Sequence, residues 1–270
     1  MAASEAMAAG ALSDPALRTR IVVGAFLAVV ALAEVALGGW SFDLLVTLAV
    51  MLLFREWAVM HAVPRTLWMP ALAVLALAGL AAARGEPLVA LLLLAAGLLL
   101  FLGLALAGRQ PGKRWLSTGL LYAGLPAVAL IWLRDRPDGF ALVVWTLAIV
   151  WATDILAYFS GRAIGGPKLA PAISPNKTWA GLLGGVTAAG LASAGLGMAF
   201  GWTTPPLFLA LAGVGLGGVA QVGDLFESWL KRRAGVKDSG GLLPGHGGVM
   251  DRLDGLVPVA CLVALGVALR

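Results

Sequence analysis

Apolar residues run in long blocks along this chain, and the polar ones collect in the gaps between them. The blocks span about 20–39, 42–60, 66–83, 87–107, 115–133, 139–160, 178–200, 205–228 and 249–269, each near the ~20 residues that a helix needs to cross a bilayer. The pattern predicts an all-α, polytopic integral membrane protein of about nine transmembrane helices. Open sheets are excluded, because backbone groups facing lipid must find partners within their own element. The first block follows R-T-R, as a signal peptide might be expected to, but it lies inside the chain with many blocks after it, so it reads as the first span. Residues 1–17, Ala-rich and without periodicity, read as a short disordered cytoplasmic tail. The spans then divide into an N-terminal set over 18–137 and a C-terminal set over 138–270, where the polar features concentrate.

Composition supports this reading. The mean hydropathy is +0.94, and 12% of residues are charged against about a quarter in soluble domains. The single cysteine, Cys261, lies in an apolar run and excludes an intramolecular disulfide. A net charge of +5 invites a nucleic-acid reading, but the positive residues fall between spans, as membrane topology requires. Anionic lipid headgroups are the better match. With the N-terminus inside, 15 of the 19 Lys and Arg residues face the cytoplasm, leaving Arg84, Arg134, Arg136 and Arg270 outside. That asymmetry predicts a cytoplasmic N-terminus. The two longest polar connections, about 161–177 and 229–248, then both face the cytoplasm.

Three features carry candidate chemistry, all at the cytoplasmic ends of late spans. Asp154 sits more than a turn inside the sixth span, with Tyr158 and Gly161 on the same face at i+4 and i+7. A carboxylate at that depth is costly unless paired or wet, which marks it as a functional candidate; the competing reading is an aspartate bonded between helices for packing. The second feature is S-P-N-K-T at 174–178, opening the seventh span. Ser174 or Asn176 is positioned to cap the helix, and Lys177 and Thr178 add a cation and a hydroxyl to its anion-friendly end. It is not a P-loop, and alone an ordinary capped helix explains it equally well.

The third feature is the run from Gln221 to Gly255. On a helix, Asp224, Glu227 and Ser228 share one face at i, i+3 and i+4, and Asp251 and Asp254 share another at i, i+3. Two acidic pairs on helices joined by one loop can meet around a hard divalent cation such as Mg²⁺. Lys231, Arg232, Arg233, Lys237 and Arg252 offer charge to an anionic substrate, and Gly240, Gly241, Gly245, Gly247 and Gly248 allow a loop with close backbone approach. A solvated loop obeying the positive-inside rule explains the K-R-R run well, but not four acids at its helix ends. His246 lacks companions for a zinc site, which leaves phosphate donation, proton transfer or plain loop structure.

From Ser228 to Asp254 the chain resembles the signature of the phosphatidate cytidylyltransferases, also called CDP-diacylglycerol synthases: Ser, Lys-Arg, Lys-Asp, His-Gly-Gly and Asp-Arg-x-Asp in order. D-x-x-A-Y-F-x-G-R at 154–162 and S-P-N-K-T at 174–178 are similar to that family's upstream motifs. The resemblance covers about residues 150–255; the first five spans match only as hydrophobic helices. It implies a transferase of phospholipid biosynthesis that converts CTP and phosphatidate to CDP-diacylglycerol and pyrophosphate, with Mg²⁺ and a second ion, K⁺, beside it. Asp224 and Asp251 are implied to hold metal, completed or oriented by Glu227, Asp254 and Asp154. Lys237 and Arg252 join the two aspartates as implied catalytic groups. Ser174, Asn176, Lys177, Thr178, Ser228, Lys231, Arg232, Asp238, His246, Gly247 and Gly248 are implied to bind substrates. Implied partners are CTP, phosphatidate, the bilayer of a bacterial inner membrane and a second copy of the chain. The pattern of a CDP-alcohol phosphotransferase, D-G-x-x-A-R, is absent. A transporter of phosphorylated solutes would favour internal repeats and polar groups at mid-membrane, neither of which stands out.

Overall fold

In a computed structural model, residues 15–106, 113–243, 245 and 247–270 are described. His246 and residues 1–14 of the expected tail lie outside them. The helices are α1 (Pro15–Leu37), α2 (Gly39–Met60), α3 (Arg65–Ala83), α4 (Pro87–Leu106), α5 (Lys113–Arg134), α6 (Gly139–Ile164), α7 (Trp179–Ala199), α8 (Pro206–Arg233), α9 (Met250–Leu253) and α10 (Leu256–Ala268). Between α6 and α7 lies a two-stranded antiparallel hairpin, β1 (Lys168–Ala170) and β2 (Ser174–Thr178). Helix α1 starts at Pro15, so the last residues of the expected tail are helical.

Six helices, α3 to α8, are long and apolar enough to cross a membrane. Helix α2 matches them in length but carries Asp43, Arg55 and Glu56, while the apolar stretches of α1 and α10 are shorter. The outward surface is apolar: Leu88, Leu92, Leu99 and Leu100 of α4 are all more than half exposed, as befits side chains that meet lipid rather than water.

Two packing styles divide the bundle. Around α2 and α5 large side chains fill the interior, with Leu53, Phe54, Trp57, Leu120, Ile131 and Leu133 buried. The C-terminal helices instead pack through small residues, the usual solution where lipid supplies no hydrophobic drive between helices. A Cβ added at Gly213 of α8 would lie 2.5 Å from the Ala189 carbonyl of α7.

The structure corrects one local expectation and refines another. Residues 174–178 form strand β2 rather than a helical turn. Pro175 has no N–H and biases Ser174 towards extended backbone, and Lys168 pairs with Thr178 across the hairpin. The cap of α7 is therefore Thr178, whose hydroxyl accepts from Gly181 N at 3.0 Å, and not Ser174 or Asn176. The ninth apolar block keeps helical backbone through Asp254 and Gly255, but its hydrogen-bond ladder lapses there, because Pro258 lacks the N–H that would have bonded the Asp254 carbonyl.

Candidate active site

A cleft of about 410 Å³ opens among α6, β2, α7, α8 and α9. Helix α8 supplies most of its floor, with Gln221, Asp224, Glu227 and Lys231 on one face, as successive steps of three, three and four residues require. Asp254 is brought against this face by the close approach of Gly223, where a Cβ would lie 2.4 Å from the Asp254 carbonyl. Thus the carbonyl released by Pro258 abuts an α8 residue without a side chain. One carboxylate oxygen from each of Asp224, Glu227 and Asp254 then lies within 4.8 Å of the others. Among the described residues no other group of three such side chains forms.

The charged groups are interlocked. Lys177, at the end of β2, meets Asp224 Oδ2 at 2.6 Å and donates to Gln221 Oε1 at 2.9 Å. Gln221 in turn donates to Asp154 Oδ1 at 3.4 Å. Lys231 bridges Glu227 Oε2 and Asp251 Oδ1, each at 2.6 Å. The other oxygen of Asp251 accepts from Ser239 N, Ser239 Oγ and Gly248 N at 3.0, 2.9 and 2.8 Å. Ser228 donates to Asp224 Oδ1 at 3.4 Å, and Asp254 Oδ1 accepts from Gly255 N at 2.8 Å. Glu227 is 1% exposed, yet its Oε1 has no hydrogen-bond partner among the described residues.

Six carboxylates line the cleft, from Asp154, Asp224, Glu227, Asp238, Asp251 and Asp254, against the three cationic groups of Lys177, Lys231 and Arg252. The formal charge is therefore three units negative, a field that attracts cations and repels a free anion.

The residues singled out in the sequence thus sort into two sets. Asp154, Asp224, Glu227, Asp251, Asp254, Lys177, Thr178, Lys231, Asp238 and Arg252 line the one cleft. Ser174 and Asn176 lie on β2 and Lys237 is exposed in the connection after α8, apart from the lining residues. Arg232 is exposed and donates to the Ile173 carbonyl at 3.4 Å, tying α8 to the hairpin. Gly247 adopts φ +76°, and a Cβ there would meet Asp251 Oδ2 at 2.7 Å. Asp251 lies in the cleft but outside the group of three converging carboxylates.

Two participants escaped the sequence reading. Gln221 stood as one polar residue in the apolar run of the eighth block. Glu56 of α2 accepts from the loop before α9, at Val249 N, Met250 N and Ser239 Oγ. An acid in an otherwise apolar block was the only available signal of its role.

The profile of the cytidylyltransferase family matches residues 18–269. The chain belongs to this family. Among its relatives, the phosphatidate cytidylyltransferase of Brucella abortus is 44% identical over 264 residues, covering 92% of each chain. The protein of the same name from Pseudomonas aeruginosa is 45% identical over 149 residues, 54% of this chain and 55% of that relative. The one from Rickettsia bellii is 38% identical over 152 residues, covering 54% and 66%.

Proposed function

We propose that this chain transfers the cytidylyl group of CTP to phosphatidate, leaving CDP-diacylglycerol in the bilayer and releasing pyrophosphate. The observation that carries this reading is the convergence of Asp224, Glu227 and Asp254 beside Lys177 and Lys231, in a chain of the cytidylyltransferase family. A phosphatidate oxygen bonds to the α-phosphorus of CTP while the bond from that phosphorus to the β-phosphate oxygen breaks. The nucleophile is already an anion at neutral pH, so the reaction depends on alignment and charge neutralisation rather than on a strong base.

Both substrates are anions, and the cleft is negative, so cations must accompany them. The three carboxylates fit Mg²⁺: they offer hard oxygen donors, few enough that water and substrate phosphate can complete its shell, and Glu227 Oε1 is buried without another partner among the described residues. When bound there, the ion supplies neutralisation of the developing phosphate charge. The chain's own residues supply the rest. Lys177 is held towards the cleft by Asp224 and Gln221, with Gln221 steadied by Asp154. Lys231 is held by Glu227 and Asp251. Entry of a triphosphate lets both ammonium groups exchange carboxylate for phosphate oxygens, with Arg252 as a third cation lining the cleft.

The membrane arrangement that supports this chemistry has nine crossings. Its N-terminus is inside the bacterial plasma membrane and the cleft faces the cytoplasm, where CTP is found. The cleft lies at the end of the bundle that carries the stretches 161–177 and 229–248, which hold seven of the 15 Lys and Arg residues assigned to the cytoplasmic side.

The decisive assay uses protein purified in detergent with Mg²⁺, α-labelled CTP and phosphatidate. Label is expected in a lipid product, with pyrophosphate released in equal amount. Folded protein that yields no labelled lipid overturns the reading. Label transferred from CDP-diacylglycerol to an alcohol would identify a phosphotransferase instead, and uptake of a phosphorylated solute by proteoliposomes a transporter.

A further inference from the structure

Glu56 lies on α2, far in sequence from every residue that lines the cleft, and is 2% exposed. A buried carboxylate is costly unless its oxygens are met by donors. Glu56 forms no ion pair among the described residues, and its hydrogen bonds run to Ser239, Val249 and Met250, in and at the end of the segment that leads into α9. Oε1 accepts from Val249 N at 3.1 Å, and Oε2 accepts from Met250 N at 2.9 Å. The Ser239 hydroxyl, 3.2 Å from Glu56 Oε2 and 2.9 Å from Asp251 Oδ2, stands between the two carboxylates. Asp251 then grips Lys231, and Lys231 grips Glu227. A single chain of polar contacts therefore runs from α2 to the acids of the cleft.

Two glycines show how tightly the segment is drawn onto Glu56. A Cβ at Gly248 would lie 2.4 Å from Glu56 Oε2 and 2.3 Å from Ser239 Oγ, and one at Gly240 would lie 2.6 Å from Glu56 Oε1. No side chain larger than hydrogen fits at either place without moving the carboxylate. The described residues between α8 and α9 have little regular structure of their own, with one isolated bridge at Leu243–Gly247, so their position depends on such tethers.

We propose that Glu56 is a positioning residue for catalysis, the point at which the N-terminal helices fix the 239–250 segment and so orient Asp251 and Lys231. This rests on the reading of the cleft as a cytidylyl-transfer site. Glu56 touches no substrate in this role; it acts through Ser239, Val249 and Met250.

The test compares the intact wild-type enzyme with Glu56→Gln, which keeps the shape but sets an amide NH₂ against a backbone N–H. Two readouts are taken. The first is steady-state kinetics with CTP varied: kcat is expected to fall by roughly 10- to 100-fold and the KM for CTP to rise by about fivefold, because Lys231 is misaimed. A merely structural role shrinks the folded fraction, which lowers the rate in proportion and leaves KM unchanged. The second readout is tryptic cleavage at the exposed Lys237 under native conditions, expected to quicken about tenfold as the segment comes loose. The proposal requires both changes, and either one absent overturns it. If Glu56→Gln does not fold, Ser239→Ala, which keeps the Val249 and Met250 bonds, is read by the same two criteria with kcat expected to fall about tenfold. Should wild-type protein make no CDP-diacylglycerol, the functional reading fails on its own, and the tryptic comparison still decides whether Glu56 tethers the segment.

Discussion

Two sets of acids meet at this cleft, and they are wired differently. Glu56 and Asp251 have each oxygen engaged by at least one donor, from backbone amides, the Ser239 hydroxyl or Lys231. Asp224, Glu227 and Asp254 converge on one another; Ser228 and Lys177 meet the two oxygens of Asp224, but Glu227 keeps a buried oxygen without a donor among the described residues. A carboxylate surrounded by donors acts as a strut, since its negative charge is already spoken for. Carboxylates that crowd together with lone pairs to spare repel each other unless a cation joins them. Proximity in sequence does not separate the two sets: Asp251 and Asp254 are one helical turn apart and fall on different sides of the divide.

The sharpest way to break that contrast is to remove one acid from each set and read activity and magnesium demand together. Asp224→Asn and Asp254→Asn should each lower cytidylyl transfer by about a thousandfold or more, several kcal/mol of charge stabilisation, and raise the Mg²⁺ concentration for half-maximal rate. Asp251→Asn should cost about a hundredfold through misplaced Lys231 and loop, with the magnesium half-saturation point unmoved. A magnesium titration in which Asp251→Asn shifts the midpoint more than Asp254→Asn would reverse the assignment and restore an Asp224–Asp251 metal pair. Gly248→Ala drives a methyl into Glu56 and Ser239, and roughly a tenfold loss in kcat is expected, measured alongside a circular-dichroism melt to confirm folding. The smallest effect should come from Ser228→Ala. Its long bond to Asp224 is worth about a factor of three in kcat/KM, and a loss beyond thirtyfold would mean that Ser228 itself meets substrate.

Much of this was legible in the chain, for identifiable reasons. Hydropathy located the long helices because each must satisfy its own backbone in lipid. Helical spacing placed Asp224 beside Glu227, and the motif at 246–254 brought Asp251 and Asp254 to the same cleft. What stayed hidden depended on neighbours distant in sequence. Glu56 meets residues more than 180 positions away, and nothing local distinguishes it from any other acid in an apolar helix. Pro258 was in plain view, yet its consequence required knowing that Asp254 lies four residues upstream in the same block. In S-P-N-K-T the helix-capping reading of Ser174 competed with the strand-forming pressure of Pro175, and pairing with β1 decided the matter. The motif placed Asp251 and Asp254 together in the cleft, while which oxygens meet donors depends on Ser239, Gly248 and Lys231.

The lapse in the last helix changes its hydrogen bonds and not its path. Helical backbone continues through Asp254 and Gly255, so the stretch from Met250 to Ala268 is about 28 Å long at the helical rise, close to the roughly 30 Å of the hydrocarbon layer. Asp251 and Asp254 sit in its opening turns, and what Pro258 removes is the N–H that would have met the Asp254 carbonyl, beside which Gly223 packs.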